Sequence, residues 1–183
     1  MDDMDKAQEG AVPGFDPFND RPSRTVRNTL SERLGECLAR RNVFSGPPDD
    51  LLACFPQKPC RDYIADRVMR YRKASREVQA VGGSPVACAA VLWRHGLYFE
   101  AHEVLEPHWL ATSGEEREGL KGLIQAAGVY VHREAGHDAA AVSLARKAAA
   151  RLQRYGHAIG DGEAMNIQRL VASLEHLIAA ARC

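Results

Sequence analysis

The sequence predicts an all-α protein: a compact, bundle-like helical domain that follows a helical extension and a disordered N-terminal tail. Three observations lead there. Apolar residues recur every three or four positions, as at Val26, Leu30, Leu34 and Leu38, or at Ile167, Leu170, Leu174 and Leu177. That is the period of a helix with one buried face. No segment alternates apolar and polar residues with the two-residue period of a strand. Glycine, proline and capping residues separate the periodic stretches, and the short connections favour antiparallel neighbours.

The elements follow in order. Residues 1–22 hold Gly10, Pro13, Gly14, Pro17 and Pro22 with few aliphatic side chains, and read as the disordered tail. Residues 23–82 form the N-terminal extension. Within it a helix is predicted over 24–41, ended by Gly46-Pro47-Pro48. A single turn follows at Leu51, Leu52 and Phe55, then a helix over 61–80 with Tyr63, Ile64, Val68, Tyr71 and Val78 on one side. Gly82-Gly83 breaks the chain, and residues 83–183 form the main domain. Its first helix starts with Ser84 as cap and Pro85 in the first position, and stops at Gly96. A second helix spans roughly 97–110. Ser113 and Glu116 fit a capping box for a long helix that ends before Gly136. Asp138 is the expected cap of the next, which reaches Tyr155 with Val142, Leu144, Ala148 and Leu152 on its apolar side. After the Gly156–Gly162 loop, a last helix covers about 163–181.

Composition excludes several classes. Lys+Arg and Asp+Glu both number 24, a formal net charge of zero, so no global field draws the chain to nucleic acid or to an anionic membrane. Arg61, Arg67, Arg70, Arg72, Lys73 and Arg76 cluster locally and read as a solvated helix face. The five cysteines show no C-x-x-C spacing, hence neither a disulfide framework nor a thiolate zinc site. The acidic Met1-Asp2-Asp3 start is not a secretory leader, and no run of about 18 apolar residues is present. A cytoplasmic location is the resulting expectation.

Chemistry concentrates in one stretch, Phe99 to Trp109. Each helical residue turns about 100°, so His102 and Glu106, four apart, share a face with Glu103 close by. Apolar Ala101, Val104 and Leu105 occupy the other side, which predicts a mostly buried helix. Bare carboxylates and imidazole are costly to bury, so they need partners, a proton or a metal. On the next helix Lys121, Gln125, Gly128 and His132 fall on one stripe, where Gly119, Gly122 and Gly128 suggest close approach or space for a ligand. Antiparallel packing would let Gln125 and His132 face the first three residues. Three readings stand side by side. A divalent metal (zinc, manganese or iron) binds through His102, Glu106 and His132, with Glu103 as base or fourth ligand. The cluster is a metal-free acid–base or small-ligand pocket. Or it is a structural hydrogen-bond network that pairs the helices. The string His-Glu-x-x-Glu is similar to the His-Glu-x-x-His of metalloproteases, with Glu106 in place of the second His.

Leu97-Tyr98-Phe99-Glu100-Ala101-His102-Glu103-Val104-Leu105-Glu106 with Trp109, then Gly122-Leu123-Ile124-Gln125 and His132, resembles a prokaryotic family, domain of unknown function 309. The likeness covers about residues 86–152. It implies a compact all-α fold and a general label of predicted metal-dependent hydrolase. Its polar positions fall on Glu100, His102, Glu103, Glu106, Gln125 and His132. This chain departs from the pattern at Gly136-His137, and at Lys121, whose cation could pair with Glu103 or Glu106 and compete with a metal. Pro107 inside the helix removes the bond to the Glu103 carbonyl and predicts a kink.

The expectation from these residues is a metal-dependent hydrolase acting on a small-molecule substrate. His102, Glu106 and His132 would hold the ion, Glu103 would take a proton from bound water, and Gln125 would orient water or substrate. The competing expectation is a non-catalytic scaffold or small-ligand module with a buried polar network. A homodimer is compatible with either.

Overall fold

The computed structural model describes residues 11–81 and 83–181, apart from the Glu163 side chain. Among the described residues the chain forms eight α-helices and no strand. It divides at Gly82–Gly83 into two compact units.

The first unit, Ala11–Gly82, holds α1 (Arg21–Ala39), α2 (Leu51–Cys54) and α3 (Lys58–Val81). Helix α1 starts earlier than its apolar period suggests. Asp20 accepts a hydrogen bond from the Ser23 amide at 2.8 Å, and Pro22 lies in the first turn, where its missing N–H costs nothing. Val26, Leu30 and Leu34 are buried on the face turned to α3. Residues 1–10 of the expected tail lie outside the described residues. Residues 11–22 are not a free tail, because Phe15 is buried with its ring stacked on Tyr63 at 3.8 Å. The basic stretch of α3 is also not wholly a solvated face. Arg67 is only 1% exposed, its guanidinium 4.7 Å from the Tyr63 ring centre and 3.2 Å from Asp66. The charge is tolerated in the interior because both an anion and a π-face accompany it.

The second unit, from Gly83 onward, carries α4 (Pro85–Arg94), α5 (Tyr98–Ala111), α6 (Gly114–Glu134), α7 (Asp138–Tyr155) and α8 (Ile167–Ala180), with 3-10 turns at Gly156–Ala158 and Gly162–Met165. The Ser84 hydroxyl accepts from the Ala87 amide at 3.2 Å and caps α4. Helices α4 and α6 end alike. Gly96 (φ +67°) and Gly136 (φ +75°) take the left-handed conformation. The Leu97 amide then bonds back to the Leu92 carbonyl at 3.0 Å, and the His137 amide to that of His132 at 2.8 Å. This is the six-to-one closure of a Schellman motif. The last helix begins at Ile167 and not near 163, because Asn166, at φ 45°, caps it by accepting from the Arg169 amide at 3.2 Å.

Each helix of this unit packs on its chain neighbour, most extensively α6 on α7. The core between α4, α5 and α6 is aromatic. Tyr98 stacks on Tyr130 at 4.6 Å, and Trp93 meets both edge-on at 5.1 Å. Burying each such ring contributes on the order of 2–3 kcal/mol. The four described cysteines are free, and burial pushes the Cys88 thiol up to about 11, far from a reactive thiolate. Cys183 lies outside the described residues.

Candidate metal centre

Helix α5 runs unbroken from Tyr98 through Pro107 to Ala111 and turns Tyr98, Ala101 and Leu105 into the core. One flank of the same helix therefore presents His102, Glu103 and Glu106 together. One donor atom from each lies within 4.8 Å of the other two. His102 Nδ1 donates to Glu103 Oε1 at 3.1 Å, with side chains 30% and 45% exposed. The Phe99 ring lies parallel to the imidazole at 6.4 Å. Among the described residues no hydrogen bond or ion pair engages the Glu106 carboxylate.

The helix is less buried than its apolar side suggested. The three donors sit at a half-open surface, where water solvates them and no interior partner is required. Glu100 is the acid of α5 that is truly buried, in the first turn, where the helix dipole favours a negative charge. Lys121 does not compete for the centre. It makes no ion pair with Glu103 or Glu106, and its electrostatic neighbour is Glu118, whose carboxyl is held low mainly by its bond from Arg151.

The second helix contributes differently from the expectation. Gln125 Oε1 accepts from Arg151 Nη1 at 3.1 Å, and the same guanidinium bonds Glu118 through Nε at 2.9 Å. Gln125 is thus tied to α7. His132 is not among the converging donors. Register explains this. Arg117 over Trp109 and Tyr98 on Tyr130 align α5 and α6 antiparallel, with paired residue numbers summing to 226 and 228. His102 then lies level with 124–126, and His132 stands six to eight residues further on, roughly 9–12 Å along the axis. The His137 ring lies 5.8 Å from that of His132, and burial followed by that neighbour holds the His132 imidazole below its usual range.

The space beside the α6 glycines is filled by protein, not left for a ligand. A Cβ on Gly119 would stand 2.7 Å from the Tyr155 carbonyl oxygen, one on Gly122 3.0 Å from Leu152, and one on Gly128 2.8 Å from the tip of Leu144. Sequence reading missed the Arg151 network and the Arg117–Trp109 stack. Both join residues on different helices, and no local spacing announces them.

Residues 86–144 match the family model described as Domain of unknown function (DUF309). This segment is a DUF309 domain. It spans α4, α5, α6 and the first part of α7, so all three converging donors lie inside it, and it stops before Leu152. No curated protein and no solved structure gave a match to the chain. Among the described residues no helix is long and apolar enough to cross a membrane.

Proposed function

We propose that the DUF309 domain of this chain is a metal-dependent hydrolase acting on a small-molecule substrate at the α5 flank. The observation that carries this is the convergence of one imidazole and two carboxylates within 4.8 Å, with no lysine or arginine among the described residues paired to Glu106. Two acids beside a histidine leave an excess of negative charge that a divalent ion would offset. Nitrogen and carboxylate donors suit zinc, manganese or iron. Donors bound at about 2.0–2.2 Å lie at most about 4.4 Å apart, so small side-chain rotations would close the group around an ion.

His102 and Glu106 would hold the ion. A bound divalent ion makes a coordinated water acidic enough to supply hydroxide near neutral pH. Glu103, hydrogen-bonded to His102, orients the imidazole, and its other oxygen is free to take the proton of that water. The half-open flank admits substrate without a lid.

Metal analysis of the full chain, purified without a polyhistidine tag and offered zinc, manganese and iron, tests the reading. About one equivalent of ion should be retained, lost in His102→Ala and in Glu106→Gln, and kept in His132→Ala. Absence of bound ion with all three metals overturns the proposal. The other reading, a helical scaffold without catalysis, draws support from Gln125. Its side chain serves the Arg151 tie between α6 and α7 and not the donor cluster.

A further inference from the structure

Three residues beyond Glu106, on the same stripe of α5, Trp109 lies under a guanidinium. Arg117 of α6 is centred 4.7 Å from the indole ring centre. Its Nη1 donates to the Thr112 carbonyl at 3.2 Å, so the planar group is fixed from two sides. An argininium carries five N–H donors, and these contacts leave most of them unused.

The nearby acids are engaged elsewhere. Glu115 lies 3.7 Å from His157. Glu116 accepts from the Gly160 amide at 3.2 Å. Glu118 accepts from Arg151 at 2.9 Å. Among the described residues, then, no carboxylate bonds Arg117 directly, although three acids lie within two residues of it in the chain and its charge, after those of Arg151 and Lys121, helps hold the Glu118 carboxyl low. A cation so placed, one to two helical turns from the donor cluster, has the geometry of an oxyanion anchor.

We propose that Arg117 binds a phosphate or carboxylate group of the substrate, so that the centre acts on small anions whose charged end lies roughly 6–10 Å from the bond to be broken. This inference rests on the metal-hydrolase reading for the position of the broken bond. The anion site itself does not need the ion. Binding a divalent cation at His102 and Glu106 offsets the local negative charge, so a bound ion strengthens capture of an anion at Arg117 and does not compete with it.

Trp109 reports on the site. The chain has two tryptophans, and Trp93→Phe leaves Trp109 as the only indole. Methylphosphonate and acetate are titrated separately into that variant, with and without one equivalent of zinc, and followed by fluorescence. Calorimetry on the unsubstituted chain repeats the titrations in case Trp93→Phe weakens the fold. Saturable binding of one anion or both is expected, and the stronger of the two identifies the substrate's charged group. Loss of the charge-assisted bonds in Arg117→Gln should weaken it about tenfold or more, while zinc affinity stays unchanged. Binding that is equal in Arg117→Gln and the unsubstituted chain overturns the anchor, whether or not zinc binds. Absence of binding of zinc, manganese and iron alike, with anion binding still dependent on Arg117, overturns the hydrolase reading and keeps the anchor.

Discussion

The two flanks of α6 show how one helix serves opposite needs. Toward α7 it is built for approach. Gly119, Gly122 and Gly128 lack side chains where Ile159, Leu152 and Leu144 press in. Toward α5 the contacts are large and ring-based, Tyr130 on Tyr98 at one end and Arg117 over Trp109 at the other. Along this flank α5 keeps His102, Glu103 and Glu106 half exposed. Close packing without voids gives the α6–α7 side its stability, while the α5 side keeps polar groups accessible. A substitution at the α6–α7 contact should therefore register as stability, and one at the half-exposed trio of α5 as binding.

The largest effect is expected at Leu152, which is buried against Gly122. Leu152→Ala should cost about 2–5 kcal/mol in denaturant unfolding, from lost transfer energy and the cavity left behind. A cost below about 0.5 kcal/mol would break the comparison, since exposed sites already reach that range. Next comes Gly119→Ala. Its methyl group would meet a backbone oxygen that cannot turn aside, so a loss of about 1–3 kcal/mol should outweigh the gain in helix propensity of about 1 kcal/mol. Gly128→Ala meets only the mobile tip of Leu144 and should be near neutral. Equal melting shifts for the two glycines would remove packing as the cause.

A smaller effect follows from His132. Its folded imidazole titrates below the ordinary 6.5, through burial first and His137 second. The unfolded chain then takes up the proton at higher pH than the folded one. Stability is full above about pH 6.5 and falls as the pH drops below it. Urea midpoints compared at about pH 7.5 and about pH 5.5 should differ less in His132→Gln than in the unsubstituted chain. The same pH difference in both would exclude His132 as the source. The smallest stability effect is expected at the candidate centre, where His102→Ala should change unfolding energy by no more than about 0.5 kcal/mol. A loss several times larger would make the cluster part of the structural core and collapse the distinction between the flanks.

Features written within one turn of chain were legible. Ser84-Pro85 caps α4, and Gly96 and Gly136 close their helices through positive φ. His102, Glu103 and Glu106 converge because neighbours three and four apart share a helical face whatever lies opposite. Features that depend on a distant partner were not legible. Ser113 makes no side-chain cap, and the Glu116 of the expected capping box receives the Gly160 amide instead. Asp138 stands inside the first turn of α7, with His137 in the cap position. The family likeness was legible from the α5 motif with Gln125 and His132, and the match extends over 86–144.

By itself the sequence determined the all-α class, the helix ends with strong local signals and the trio on α5, because hydrogen bonds and side-chain periodicity along a helix are local. Tertiary structure alone decided that Gln125 joins Arg151, that His132 lies beyond the trio and that Arg117 covers Trp109. Those outcomes depend on the antiparallel register of α5 and α6 and on how closely α7 approaches, which packing sets between residues far apart in the chain.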